Sequence, residues 1–154
     1  MTIERFKQLR DLVVAADQDG FMAGSPSLTG YSGARLVGLL QRLAARDTGD
    51  DSCYVEVGVF QGMTLLSVAA VARDRQVYGI DNFSQFDVDN RNKGIVQQRM
   101  RDLEIDNAHL IDQDFEDALD NIDQATGGRK ISTYFVDGPH DYRSQLMCLE
   151  LAKD

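Results

Sequence analysis

The chain has 154 residues, of which 43% are hydrophobic and 27% charged, and its formal net charge at pH 7 is −9. This length supports one domain with a core of its own. The acidic balance argues against binding to a nucleic acid backbone. The longest mostly apolar run, near 65–72, is too short to cross a bilayer, and the N-terminus is too charged for a signal peptide. We therefore expect a cytoplasmic protein that does not bind membranes.

The two cysteines, Cys53 and Cys148, lie far apart in the sequence, one in a predicted strand and one in a predicted helix. Neither belongs to a CxxC pair or to the Cys/His spacing of a zinc site. We therefore expect two free thiols in the core, in preference to a disulfide or a pair of metal ligands.

Two amphipathic helices are predicted before the first strand. Apolar residues recur at spacings of three and four over 3–16 and again over 32–46. Between them, GFMAGSPSLTG (20–30) is typical of a loop. Each helix is too short to hold a core alone. We therefore expect residues 1–50 to be a helical lid segment of one domain, whose cofactor-binding α/β part is 51–154.

Predicted strands and helices alternate over the rest of the chain. Strands are predicted at 53–59, 76–81, 107–112 and 130–137, and helices at 63–73, 89–102, 114–122 and 140–153. Strands that alternate with helices of this length are typical of right-handed βαβ units. The prediction is an α/β fold, a Rossmann-like doubly wound parallel sheet with helices on both faces.

The junction between the first strand and the next helix carries the main functional signal. CYVEVGVFQG (53–62) is an apolar strand that ends in two glycines, Gly58 and Gly62, and a helix follows at once. In this architecture a nucleotide-like ligand lies across the strand's carboxyl end and the helix N-terminus. Glu56 precedes the glycines, within reach of a ligand's amine.

Aspartates close three of the predicted strands: Asp81, Asp112 and Asp137. Ligands of open α/β folds bind at this edge, and Asp81 stands about 20 residues past the glycine turn, where an acid reads ribose hydroxyls in dinucleotide-binding folds. An aspartate at a strand end also serves to cap the following turn or helix. The three together, in step with the glycine turn, favour one shared ligand site.

Two nucleotide cofactors compete for this site. A nicotinamide dinucleotide places its pyrophosphate on a G-x-G-x-x-G turn, whereas here three residues separate the glycines and Glu56 adds negative charge. A ligand with an amine and a sulfonium, such as S-adenosylmethionine, suits an acidic turn better. An NAD-dependent oxidoreductase is the weaker enzyme hypothesis, and a non-catalytic cofactor-binding or scaffold module is the alternative of another class.

The segments EVGVFQGMTLL (56–66) and YGID (78–81) resemble the first two motifs of class I S-adenosylmethionine-dependent methyltransferases. They are most similar to the cation-dependent O-methyltransferases of catechols and caffeoyl-CoA and to the related macrocin and cephalosporin-pathway enzymes. The resemblance covers 29–154 and includes TGYSGARL (29–36), which is similar to the segment that closes over the cofactor in those enzymes.

The resemblance implies a binding role for each matching residue. The predicted S-adenosylmethionine ligands are Glu56, Gly58, Gly62 and Thr64 around the methionine moiety, Asp81 at the ribose hydroxyls, and Asp114 with Phe115 at the adenine. Asn82, next to Asp81, is also predicted to bind the cofactor.

The segment FVDGPHDY (135–142) carries the predicted chemistry. The resemblance implies that Asp137 binds a divalent cation such as Mg²⁺ and that His140 is a base near the hydroxyl of a small-molecule substrate. Mg²⁺ prefers carboxylate oxygens and acidifies a bound hydroxyl, and histidine side chains accept protons near neutral pH. The alternative to these catalytic roles is a structural one, in which Asp137 caps the last helix and His140 is a half-exposed residue at the start of that helix. His109, inside an apolar strand, is predicted to be structural.

The chain departs from this family after the fourth strand. Those enzymes have seven strands, and their other two metal ligands follow the fifth. KISTYFV (130–136) is too apolar on both faces for a bare sheet edge. We therefore expect the chain to be the N-terminal portion of a longer protein or to be completed by another chain, and a homodimer is compatible with this.

Overall fold

The computed structural model describes residues 2–46, 49, 51–138 and 140–152. The elements are α1 Ile3–Asp19, α2 Ala34–Arg46, β1 Ser52–Val57, α3 Met63–Val71, β2 Gln76–Ile80, α4 Asn92–Asp102, β3 Ala108–Ile111, α5 Phe115–Asp120, α6 Ile122–Thr126, β4 Lys130–Val136 and α7 Tyr142–Leu151. Every predicted strand and helix is present. The predicted helical segment 1–50 ends at Asp50, and the predicted helix 140–153 ends at Lys153. Both of these residues lie outside the described part of the chain.

Local hydrogen bonds and dihedral angles explain where the observed bounds differ from the predicted ones. α1 continues to Gly20, where a φ of +66° turns the chain out of the helix. α4 begins only at Asn92, where the Asp87 carboxylate accepts the backbone N–H groups of Arg91 at 2.7 Å and of Asn92 at 3.2 Å. The predicted helix 114–122 becomes two short helices because the backbone at Asn121 leaves the helical region (φ −118°, ψ 22°).

The described strands form one parallel sheet in the order β3-β2-β1-β4. β1 lies inside the sheet, and all of its residues are buried. Parallel strands require crossover connections, which place helices on the faces of the sheet. The predicted doubly wound α/β fold is confirmed. Because the strands are parallel, their carboxyl ends meet at one edge, where ligands of such folds bind.

Two apolar clusters, one on each face of the sheet, hold the helices in place. One includes Leu40, Leu65, Val68 and Val77, and the other includes Cys53, Val55, Leu119 and Cys148. Burying a Leu or Val side chain stabilises a fold by about 1.5–3 kcal/mol. The two elements that flank the glycine turn, β1 and α3, are therefore firmly held.

The N-terminal helices form a layer on α3, since α1 packs against α2 and α2 against α3. The buried Gln41 side chain anchors the loop 20–33 between them. Its Oε1 accepts the N–H of Met22 at 2.8 Å, and its Nε2 donates to Ser25 Oγ and to the carbonyl of Ser67, both at 2.9 Å. The start of this loop is thereby fixed to the helix that follows the glycine turn.

β4 lies at an edge of the described sheet, where it pairs with β1. Residues 131–136 of the strand are half-buried, in keeping with their apolar character. Cys53 and Cys148 are buried free thiols, as predicted. Among the described residues, none of the helices combines the length and the apolar composition that crossing a bilayer requires.

Candidate cofactor site

The turn between β1 and α3, residues 58–62, is the centre of the candidate site. Gly58 has a φ of +95° and Gly62 a φ of +78°, a region that favours glycine. A Cβ on Gly58 would lie 2.4 Å from the backbone of Gly138, in the loop after β4. The absence of a side chain at Gly58 therefore lets the turn and that loop touch through their backbones.

Asp81, which follows β2, fixes the conformation of the glycine turn. Its Oδ2 accepts the backbone N–H groups of Val59 and Phe60, both at 2.8 Å, and its Oδ1 accepts the N–H of Phe83 at 2.7 Å. Phe60 has a φ of +51°, a backbone conformation that is unfavourable for a bulky residue. The hydrogen bonds to the Asp81 carboxylate therefore stabilise a strained turn. Because a carboxylate has about four acceptor positions, about one remains for a ligand hydroxyl.

Glu56 is completely buried beneath the turn. Its carboxylate accepts the hydroxyl of Tyr54 at 2.7 Å and the hydroxyl of Thr64 at 2.5 Å. Burial raises the pKa of Glu56 to about 7, and the hydrogen bonds from Thr64 and Tyr54 offset part of that rise. Thr64 lines the cavity described next, whereas Glu56 does not. Glu56, which was predicted to bind the amine of the cofactor, is therefore connected to the cavity wall only through its hydrogen bond with the Thr64 hydroxyl.

A cavity of about 880 Å³ opens at the carboxyl edge of the sheet, which is within the range of small-molecule and cofactor sites. Eight of the ten predicted site residues line it: Gly58, Thr64, Asp81, Asn82, Asp114, Phe115, Asp137 and His140. The other two, Glu56 and Gly62, lie outside its lining. The structure thus brings together side chains that are up to 82 positions apart in sequence (58 to 140).

The charged side chains that line this cavity are almost all acidic. They are Asp81, Asp114, Asp137 and Asp141, together with His140. Lysine and arginine do not occur in the lining, as far as the described residues define it. A cavity wall of one charge attracts ligands of the opposite charge and repels anions such as a pyrophosphate.

Besides the predicted Phe115, three more aromatic side chains line the cavity: Tyr31, which lies in the segment 29–36, and Phe60 and Phe86, for which the sequence predicts no role. The ring centroids of Tyr31 and Phe60 are 5.3 Å apart. Tyr31 is 93% exposed and Phe86 75% exposed. Phe86 has a φ of +55°, and Asn92 Nδ2 donates to its carbonyl at 3.1 Å. An exposed aromatic side chain on a backbone with an unfavourable φ indicates that Phe86 has a functional role. The sequence does not reveal this, because φ is known only from the structure.

The loop after β4 presents Asp137 and His140 to the cavity, and both are exposed. Although Asp137 is exposed, the surrounding protein removes part of the water around its carboxyl; this desolvation raises the pKa of Asp137 above its usual value, and the charge of His140 offsets part of the rise. The N-terminal cap of α7 is Asp141, whose carboxylate accepts the N–H of Ser144 at 3.0 Å. The alternative that Asp137 caps this helix is therefore wrong.

Two acids that follow β3, Asp112 and Asp114, have separate partners. Asp112 forms an ion pair with Lys93 at 2.6 Å and does not line the cavity, so the expectation of three aspartates at one site is met by only two of them. Asp114 caps α5 by accepting the N–H of Glu116 at 3.0 Å, and it also accepts from Asn82 Nδ2 at 3.3 Å. Asp114 thus caps a helix and also lines the cavity in which the resemblance places the adenine.

His109 lies away from the cavity. Its ring stacks on Tyr78 with centroids 5.0 Å apart, and its Nε2 is 2.6 Å from Gln76 Oε1. These contacts agree with the structural role predicted for it, although the residue is exposed rather than enclosed in the sheet.

The profile of a family described as a methyltransferase domain matches residues 55–154, from the middle of β1 onwards. This match spans well over half of the chain and includes the glycine turn, Asp81 and the loop after β4. The chain therefore belongs to the methyltransferase domain family. A search of curated proteins found no significant match.

Two solved structures were found to match this chain in part. Cofactor-bound Rv0187 from MTB matches with a TM-score of 0.57 and 13% identity, over 99% of this chain and 62% of that protein. Coclaurine N-methyltransferase bound to N-methylheliamine and SAH matches with a TM-score of 0.41 and 14% identity, over 73% of this chain and 37% of that enzyme. The first supports the Rossmann-like methyltransferase fold. The chain spans less than two thirds of the length of Rv0187.

Proposed function

We propose that this chain binds S-adenosylmethionine and is the cofactor-binding part of a methyltransferase that acts on a small-molecule hydroxyl. The observation that carries the proposal is the acidic cavity at the glycine turn, with four aspartates and no lysine or arginine in its described lining. S-adenosylmethionine carries a sulfonium and an ammonium, so its reactive end is attracted to such a wall. The family match and the cofactor-bound state of Rv0187 support the same assignment.

The residues of the cavity fit this cofactor in kind. The Thr64 hydroxyl, backed by Glu56, would meet the methionine moiety at the helix start. The open acceptor position of Asp81, with Asn82 beside it, would receive the ribose hydroxyls. Phe115 offers an apolar surface to the adenine, and Asp114 lies next to it.

S-adenosylmethionine, when bound, supplies an electrophilic methyl group on sulfur. His140 would accept the proton of the substrate hydroxyl as the oxygen–methyl bond forms and the carbon–sulfur bond breaks. His140 is exposed at the rim of the cavity, where an acceptor would enter. The rate would come mainly from holding the hydroxyl oxygen in line with the carbon–sulfur bond.

The proposal also includes a divalent cation bound at Asp137. Asp137 would supply a carboxylate oxygen, the kind of ligand that Mg²⁺ prefers. Among the described residues, no group of three or more His, Cys, Asp and Glu side chains is placed to hold a metal ion. A cation at Asp137 would therefore take its other ligands from the substrate, water or another chain. A homodimer through β4 or the N-terminal helices is a further proposal.

The first test is calorimetric titration of the folded protein with S-adenosylhomocysteine, the product of the proposed reaction. Asp81→Asn should weaken binding at least tenfold, since one charge-assisted hydrogen bond contributes about 1.5–3 kcal/mol. Asp89→Asn is the matched control, because Asp89 is an exposed acid in the same loop that pairs with Arg91. Absence of binding to the folded wild type would refute the proposal.

Two further measurements separate the alternatives. An NAD-dependent oxidoreductase would bind NADH, which fluorescence titration detects, and the acidic lining predicts no such binding. A cofactor-binding scaffold would bind S-adenosylhomocysteine without turnover. Transfer of a labelled methyl group to a catechol, with and without Mg²⁺ and lost in His140→Gln, would favour the enzyme over the scaffold.

A further inference from the structure

Arg99 of α4 joins two segments that face the cavity from different parts of the chain. Its Nη1 donates to the carbonyl of Gln61 in the glycine turn at 2.6 Å and to the carbonyl of Thr29 at 3.3 Å. Its Nη2 donates to Thr29 Oγ1 at 2.9 Å. One guanidinium therefore connects the turn to the end of the loop 20–33.

The segment held by Arg99 lines the cavity. Gly30, Tyr31 and Ser32 directly follow Thr29 and all contribute to the cavity wall. A Cβ on Gly30 would lie 2.6 Å from the Cβ of Met63, so the segment lies flat on the start of α3. The Tyr31 ring also contacts the Phe60 ring of the turn. Residues 29–31 thus lie against residues 60–63 through three different kinds of contact.

The hydrogen-bonding chemistry of Arg99 distinguishes it from a surface arginine. It is half-buried, and the ion pairs of the described residues do not include it. Its charge is directed at two carbonyls and a hydroxyl. The planar guanidinium holds several acceptors in a fixed arrangement, which a lysine ammonium cannot reproduce. The other end of the loop is anchored separately by Gln41, so losing Arg99 would free only the part beside the cavity.

We propose that Arg99 is a positioning residue that holds residues 29–32 closed over the cofactor and thereby slows its release. The inference rests on the proposed function, because it assigns to Arg99 the retention of the S-adenosyl ligand in that same cavity. Closure of a loop over a bound ligand commonly sets release rates in enzymes. Arg99 would act through Thr29 and the turn, without touching the cofactor.

The test measures the dissociation rate of S-adenosylhomocysteine by surface plasmon resonance. Arg99→Ala should accelerate dissociation roughly tenfold, as expected for the loss of hydrogen bonds to a charged group. Arg99→Lys should restore only part of the effect. Arg101→Ala is the control on the same helix, since Arg101 is exposed and donates to Gln98. The free energy of unfolding of each variant is measured in urea alongside.

A second variant tests the connection directly. Thr29→Val removes the hydroxyl acceptor in an exposed loop, so it should fold normally even if Arg99→Ala does not. It should accelerate dissociation about threefold in the wild type and leave the rate of Arg99→Ala unchanged, because the two residues act through one contact. Equal effects in both backgrounds, or no effect of either substitution, would refute the role of Arg99. A wild type that does not bind the ligand would instead refute the proposed function itself.

Discussion

The buried Glu56 makes the stability of the protein depend on pH. Its pKa is raised from 4.5 to about 7 by burial, so the folded state keeps a proton that the unfolded state loses. The stability that this proton provides is fully present below pH 4.5 and is lost as the pH rises to 7. The difference corresponds to roughly 3 kcal/mol, and most of it falls between pH 5 and pH 8.

Glu56→Gln separates this contribution from every other titrating group. The amide imitates the protonated acid in shape and remains uncharged, so it can still bond to the hydroxyls of Tyr54 and Thr64. We expect the unfolding free energy of the wild type to fall by roughly 2–3 kcal/mol relative to that of Glu56→Gln between pH 5 and pH 8. The assay is urea unfolding of both proteins at several pH values, with the unfolding free energies subtracted at each pH.

Glu4→Gln provides a control for the substitution itself, because Glu4 is exposed in the first turn of α1. Its unfolding free energy should follow the wild type across the same range. If wild type and Glu56→Gln lose stability in parallel from pH 5 to pH 8, the buried carboxyl does not hold a proton in this window, and the reasoning is refuted.

Three other predictions concern the turn, the thiols and the base. Gly58→Ala should destabilise the fold by more than about 1 kcal/mol and abolish S-adenosylhomocysteine binding, because its Cβ would meet Gly138; thermal unfolding and calorimetry check this. Cys53 and Cys148 should both resist a thiol reagent until the protein unfolds, since burial raises the pKa of each thiol; rapid labelling of the native protein would contradict it. His140→Gln should lower methyl transfer about 100-fold while leaving the affinity for S-adenosylhomocysteine unchanged, and a parallel loss of affinity would argue against a role as base.

The fold was predictable because its signals are local. Apolar runs and helical spacing place each strand and helix, and an apolar strand that ends in Gly58 predicts the turn that follows it. The position of Asp81 at the cavity also follows from the pattern, since strand ends of a parallel sheet share an edge. Its bonds to three backbone N–H groups do not follow from the pattern, because they depend on the left-handed conformations of Phe60 and Phe83.

What the sequence did not reveal depends on contacts between distant segments. The resemblance places the segment 29–36 over the cofactor, but no local pattern predicts that Arg99, 70 positions after Thr29, donates to the Thr29 carbonyl. The cap of α7 is Asp141 rather than Asp137 because the helix begins at Tyr142. Both aspartates are possible caps in the sequence, and the residue composition does not distinguish two positions that are four residues apart. The strand pattern predicts that Asp112 lies at the same sheet edge as Asp81 and Asp137. It does not predict that Lys93 forms an ion pair with Asp112, which lies outside the cavity lining.

The backbone contact between Gly58 and Gly138 also limits how this sequence can change over evolutionary time. A Cβ on Gly58 would approach the other glycine to 2.4 Å, whereas a Cβ on Gly138 would lie 3.2 Å from its nearest atoms. The two positions are therefore unequal. Alanine at 138 requires the neighbouring backbone to shift by a few tenths of an ångström, whereas alanine at 58 requires a larger shift and a strained φ of +95°. Selection should hold the first of these glycines far more strictly than the second.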